Sequence, residues 1–251
     1  MVVEIIPLHD FPIVQKGDNI GQLIVETSKK YMTPLHNKDV LVVAQTIVSR
    51  AEGMVYCLED VHPSDFAKKL AEQTGKDPRH VELILKGAKS IVRFGRGLII
   101  TETIHGFVCA NSGVDKSNVP GESCYTLLPE DPDRSAKNIR KTILKSLDLN
   151  DIAVIISDTF GRPLRGGAVN VAIGISGIRP IVSLIGKTDL FGYTMQVTEI
   201  AVADEIAAAS ELVMGQTDEG VPVVIIRGYD YVPDEIAASK LNRPQEQDLF
   251  W

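Results

Sequence analysis

The run "DIAVIISDT" at residues 151–159 constrains this chain more than any other segment. Its apolar, β-branched residues follow one another without a polar break, the pattern of a buried strand. The run ends on Ser157, Asp158 and Thr159 and then turns through glycines past Arg162 and Arg165. A carboxylate and a hydroxyl at such a strand end begin either a solvated turn or a metal–phosphate site. The two arginines divide in the same way. They are partners for neighbouring acids, or guanidinium forks for phosphate or carboxylate.

Two further runs share this character. "DVLVVAQT" at 39–46 and "VPVVIIRG" at 221–228 both predict buried strands, and "VVEII" at 2–6 predicts a first strand. Helices are predicted between them: 17–31 capped by Asp18, 63–75 with Ser64 as N-cap and Gly75 as its stop, and 77–88 with Asp77 as cap and Pro78 at the first helical position. An amphipathic helix is expected over 131–147 and an Ala-rich one over 198–215, ending at Gly215. "GLIITET" and "GFVCANSG", with His105 and Gly106 between them, predict a hairpin. "GAVNVAIGISG" and "PIVSLIG" predict further strands. The mixture is α/β, or α+β, with a mixed sheet. It fits neither a doubly wound order nor an eight-fold βα barrel.

A chain of 251 residues can form one large domain or two modest ones. No apolar run approaches the roughly 20 residues of a membrane helix, and the acidic start at residues 1–7 is too short for a signal peptide. These features predict a cytoplasmic protein. Cys57, Cys109 and Cys124 form no CxxC and are odd in number, so they are expected as small buried thiols of a reducing compartment. Five histidines lack zinc-site spacing. The net charge of −7 argues against a general nucleic-acid binder. It also means that any anionic ligand must be met by local Arg, Lys or metal ions.

Four polar loops follow or precede the apolar runs. Asp115 and Asn118 lie in a glycine-containing loop after a strand, and Asp158 and Thr159 form a strand end. Such oxygen donors suit Mg²⁺ or Mn²⁺, although each loop can equally be a capped turn. "MGQTDEGVP" at 214–222 can supply a further oxygen ligand and nucleotide contacts, or be a helix stop and connector. "AQTIVSRAEG" at 44–53 offers Gln45, Thr46, Ser49 and Arg50 to phosphates, or is a plain strand exit. Walker A, GxGxxG and GxSxG signatures are absent, and "GKTDL" lacks the upstream glycine loop. Asp204 and Glu205 are adjacent and read as solvent-facing or capping residues.

In order along the chain, "PLHDFP", "VVAQTIVSRAEG", "VCANSGVDKSNV", "LLPEDPDRSA", "VIISDTFGRPLRGG", "VAIGISG", "GKTDLFGY" and "VADEIAAASELVMGQTDEGVPVVIIRG" resemble the coenzyme F420-0:L-glutamate ligase family, the GTP-dependent γ-glutamyl ligases. The resemblance runs from Ile5 to about Gly228, and the tail from Tyr229 to Trp251 carries no recognisable motif. It implies one catalytic unit over 1–251, or two interleaved subdomains within it. The implied fold is family-specific, neither Rossmann nor P-loop, in an intertwined homodimer. The implied reaction joins L-glutamate to the carboxylate of coenzyme F420-0 through an acyl phosphate made from GTP, with a further γ-linked glutamate as an extension. Mg²⁺ or Mn²⁺ and K⁺ are the implied ions, and neither nucleic acid nor membrane is an implied partner. By the same resemblance, Asp115, Asp158, Thr159 and Gln216 are metal ligands. Asn118, Gln45, Thr46 and Arg50 contact the nucleotide, with His9, Asp10, Phe11 and Pro12 as an N-terminal nucleotide segment. Met214, Gly215, Gln216, Thr217, Asp218, Glu219, Gly220 and Val221 form a GTP-binding loop. Two alternatives use the same loops: a carboxylate–amine ligase acting on another substrate, and a GTP-binding protein without ligase activity.

Overall fold

In the computed structural model, which describes residues 2–95 and 97–248, the three apolar runs lie side by side in one five-stranded sheet. The chain enters through β1 (Glu4–Pro7), α1 (Ile20–Lys30), β2 (Val40–Ala44), α2 (Gln45–Glu52) and β3 (Val55–Cys57). It continues through α3 (Asp65–Thr74), α4 (Pro78–Gly87), β4 (Ala88–Gly95), β5 (Leu98–Thr103), β6 (Val108–Ala110) and β7 (Cys124–Thr126). Then come α5 (Pro132–Leu147), β8 (Ala153–Gly161), β9 (Ala168–Ser176), β10 (Val182–Ser183), β11 (Glu199–Ile200), α6 (Val202–Met214) and β12 (Val223–Arg227). Of the C-terminal tail, residues 249–251 lie outside the described residues, as does Met1 of the first strand's flank.

The main sheet has the order β1-β12-β2-β8-β9. β2 and β8 run parallel, and the other pairs are antiparallel. Continuous apolar runs are needed because both faces are covered. Leu41, Val43, Val154, Ile156 and Ile225 face a core shared with Ile24 of α1 and Ile139 and Ile143 of α5. Val40, Val42, Ile155, Val224 and Ile226 face α6 through Ala203, Ile206 and Ala207. Burying one such side chain contributes about 1.5–3 kcal/mol, so these two layers dominate the fold. A smaller layer packs α3 and α4 on the three-stranded sheet β4-β5-β6 through Leu70, Val81, Ile84 and Ile99.

Several local expectations change. α1 is capped by Asn19, whose side chain accepts from the Gln22 N–H at 3.1 Å. Asp18 instead closes the preceding turn by accepting from the Gln15 N–H at 2.7 Å. The strand expected over 39–46 stops at Ala44, and Gln45 and Thr46 open a helix. β4 was not foreseen, since its partly exposed residues give no continuous apolar run. "PIVSLIG" keeps only a two-residue ladder, because the chain then leaves the body in an arm between β10 and β11. Asp204 does not face solvent: it accepts from the Ala172 N–H at 2.9 Å, where β9 shifts register against β8.

The cysteines also depart from expectation. Cys57 and Cys124 are joined in a disulfide, and only Cys109 is free and buried. The two partners sit opposite each other in the antiparallel β3–β7 pair, although 67 residues separate them in the chain. Spacing cannot reveal a proximity that the ladder creates. Among the described residues, no helix is long and apolar enough to cross a membrane.

Candidate active site

Strand direction explains where the polar loops meet. β2 and β8 are parallel, so Gln45 and Asp158 emerge at the same edge of the sheet. β12 runs against β2, so the residues before it, 216–222, reach that edge too. β1 runs against β12, and the segment after Pro7 arrives there as well. Four loops far apart in sequence therefore border one cleft of about 470 Å³. The fifth contribution, the Asp115 loop, comes from the smaller layer.

Each loop has a local reason for its shape. Asn111, Ser112 and Gly113 all have positive φ, at 52°, 55° and 68°. The buried Ser112 hydroxyl holds this turn by donating to the Ile84 carbonyl at 2.7 Å. The Asp115 backbone then pairs with Thr126 of β7 through bonds of 3.1 and 2.8 Å. Its carboxylate accepts from the Ser117 N–H at 3.1 Å and from the Ser117 hydroxyl. At the other wall, Gly215 closes α6 with φ 71° and ψ 176°, a conformation open only to glycine. A Cβ there would lie 2.1 Å from the Glu219 carboxyl carbon.

The electrostatics are those of a site short of positive charge. Asp158 is half-buried within β8, which runs past the expected strand end at Thr159 to Gly161 because β9 pairs with it there, and burial pushes the Asp158 carboxyl up to about 7. The Thr159 N–H works against that shift, and the Asp115 carboxylate adds to it. The buried Cys109 thiol is pushed up to about 12, first by burial and then by Asp158. Arg50 supplies a guanidinium to the cleft and donates to the Asn118 carbonyl at 3.4 Å. α2 starts at Gln45 with Ala44 as its N-cap and no side-chain cap, and its first turn lies at the cleft wall, where a helix N-terminus favours an anion.

Most of the residues singled out from sequence meet here. Asp115, Asp158, Thr159 and Gln216 all line the cleft. So do Gln45, Thr46, Arg50 and Asn118, and so do Phe11 and Pro12. From the loop before β12, Met214, Gly215, Thr217, Glu219, Gly220 and Val221 join them. His9, Asp10 and Asp218 are exposed and stand outside its lining. Arg162 closes its own turn by donating to the Gly166 and Gly167 carbonyls, and Arg165 is exposed; neither lines the cleft.

The donor set suits a hard divalent ion: two carboxylates, a hydroxyl and an amide oxygen. Mg²⁺ and Mn²⁺ take such ligands and complete their shells with water or phosphate oxygens. Among the described residues no three of His, Cys, Asp or Glu gather at one place, and the carboxylates in the cleft lining that could meet an ion are Asp115, Asp158 and Glu219. The Ser157 hydroxyl lines the same cleft, is 2% exposed, and has no hydrogen-bond partner among the described residues. A buried polar atom left so is costly unless something in the cleft meets it.

Sequence reasoning missed Asn170 and Glu211. The Asn170 amide donates to Glu211 at 2.7 Å and accepts from the Thr159 hydroxyl at 2.7 Å. The only signal was a polar residue inside the "GAVNVAIGISG" run, where a strand core favours apolar side chains.

Residues 9–228 match the family described as F420-0:Gamma-glutamyl ligase. The chain is 47% identical over 252 aligned positions to the coenzyme F420:L-glutamate ligase of Methanothermobacter thermautotrophicus, spanning 100% of this chain and 99% of that one. It is 46% identical over 250 positions to the protein of that name from Methanocaldococcus jannaschii, spanning 99% and 96%. With that of Methanopyrus kandleri it shares 50% over 215 positions, spanning 86% and 82%. This chain therefore belongs to the F420-0:gamma-glutamyl ligase family.

Proposed function

We propose that the chain joins L-glutamate to the free carboxylate of coenzyme F420-0 with GTP as cosubstrate. The γ-phosphoryl group passes to the carboxylate, giving an acyl phosphate and GDP. The glutamate amine then attacks the acyl carbon, forms the amide bond and expels phosphate. The convergence of Asp115 and Asp158 on one cleft, in a chain of this family, carries the reading.

The chemistry brings anions together inside a protein of net charge −7. Two unit charges 4 Å apart at an effective dielectric of ~20 repel by about 4 kcal/mol. In this reading, Asp115, Asp158, Thr159 and Gln216 hold Mg²⁺ or Mn²⁺, which supplies positive charge at the phosphates. The N-terminus of α2 and the Arg50 guanidinium orient phosphate oxygens. Phe11 and Pro12 offer an apolar wall to the base. K⁺ acts as an activating ion. The protein works as a homodimer, a reading favoured by the arm between β10 and β11, where Leu190 and Phe191 are 98% and 96% exposed.

The test combines GTP, L-glutamate, F420-0 and Mn²⁺ with the purified protein. Mass spectrometry should find a product heavier by one glutamate residue, with one GDP and one phosphate released per bond. Absence of that product with all four components present overturns the proposal.

A further inference from the structure

Thr159 and Gln216 are the two uncharged donors of the proposed cation site. Each carries hydrogens as well as lone pairs, so something must decide which of them faces the cleft. Glu211, in the last turn of α6, accepts from Nε2 of Gln216 at 2.6 Å. Its other oxygen accepts from Nδ2 of Asn170 at 2.7 Å. Nε2 of Gln216 also donates to Oγ1 of Thr159 at 2.9 Å, and Thr159 gives its proton to Oδ1 of Asn170 at 2.7 Å. Four side chains from β8, β9, α6 and the loop after it thus close a ring.

Proton accounting determines the orientation of every member. A carboxylate accepts and has no proton to give, so both amides turn their NH₂ groups toward Glu211. The Asn170 atom facing Thr159 is then an oxygen, which takes the hydroxyl proton. Both hydrogens of Gln216 are used inside the ring, and its Oε1 is left outside. Thr159 likewise keeps a lone pair outside. Asn170 is only 3% exposed, so water does little to relieve a mismatch there.

We propose that Glu211 is a positioning residue whose acceptor-only carboxylate makes Thr159 and Gln216 present oxygen lone pairs, not hydrogens, to a divalent cation. This rests on the function proposed above. Glu211→Gln keeps the shape but lets the side chain accept from only one neighbour, and it must donate to the other. Either Asn170 turns and donates to Thr159, whose proton is driven outward, or Gln216 turns and points its NH₂ outward. Each answer places a hydrogen where a cation needs an oxygen.

The test uses Mn²⁺ itself, titrated into the full chain with GDP present and read from the electron paramagnetic resonance of the free ion. The KM for Mn²⁺ and kcat are measured alongside. Glu211→Gln should weaken Mn²⁺ binding by about 10–100-fold and raise the KM for Mn²⁺ similarly, with kcat at saturating Mn²⁺ changed far less. The double variant Glu211→Gln/Asn170→Asp moves the acceptor-only group across the ring and lets every hydrogen bond form again. It should recover most of the lost affinity, and it remains informative if the single variant fails to fold. Wild-type affinity in Glu211→Gln, or a double variant that binds Mn²⁺ poorly, overturns the positioning role alone. A wild-type protein that binds no Mn²⁺ with GDP present overturns the ligase reading, and this role falls with it.

Discussion

Asp158 is a carboxyl held where its charge is unwelcome. Its folded-state value of about 7 lies above the ordinary carboxylate value of about 3.9. Between those pH values the folded chain keeps a proton that the unfolded chain has released, so stability falls as pH rises from about 4 to about 7. The loss is on the order of 2–4 kcal/mol without divalent ions. Asp158→Asn removes it. Urea denaturation in chelator should find the variant more stable than wild type at pH 8 and equal to it near pH 4. Parallel pH profiles for the two proteins would contradict the burial argument. The same proton competes with a cation, so Mn²⁺ affinity should fall about fivefold from pH 7 to pH 6 and about tenfold from pH 6 to pH 5, as titration at those three values can check. Asp158 and Asp115 were legible because polar oxygens break an apolar run or follow one. Glu211 and Asn170 were not. They lie 41 residues apart, and only the packing of α6 on β9 makes them partners.

The buried strands β2, β8 and β12 were readable because each is apolar on both faces. Their order was not, since register depends on contacts between runs rather than within them. One close approach, also invisible in sequence, holds α5 against β9. A Cβ on Gly174 would lie 2.4 Å from the backbone carbon and oxygen of Pro132 at the start of α5. Backbone cannot move aside as a flexible side chain can. Asp133 fastens the same junction by accepting from the Ile175 N–H at 2.8 Å and the Ala238 N–H at 3.0 Å. Gly174→Ala should therefore cost about 1–3 kcal/mol, read as a lower urea midpoint at unchanged slope. The β3–β7 pair depends instead on its cross-link. Closing a loop of 67 residues with Cys57–Cys124 should contribute about 3–4 kcal/mol. Cys57→Ser/Cys124→Ser should lose that amount against the oxidised wild type, and no change would show that the bond adds nothing to stability.

Charge and exposed apolar area together bear on the homodimer proposed above. A net charge of −7 keeps copies apart unless a specific apolar surface overcomes the repulsion. The arm between β10 and β11 has such a surface. Backbone bonds from Leu184 to Thr198, Gly186 to Met195 and Asp189 to Tyr193 hold it in hairpin form. That order is maintained while Leu190, Phe191, Tyr193 and Val197 all face outward. An arm that keeps its backbone paired and its apolar residues exposed offers a surface to be covered, and in the homodimer proposed above a second copy of the chain would supply the same surface in return. Leu190→Ser/Phe191→Ser removes the two most exposed apolar side chains without touching the hairpin bonds. Sedimentation at micromolar concentration should then find a dimeric wild type and a variant shifted toward monomer by at least tenfold in dissociation constant. Each removed side chain accounts for about 1.5–3 kcal/mol of buried area per copy, which makes that shift a lower bound. No residue of the arm lines the cleft, so Mn²⁺ binding by the monomeric variant tells whether the cation site is complete within one copy. A wild-type chain that sediments as a monomer would contradict the arm's role outright.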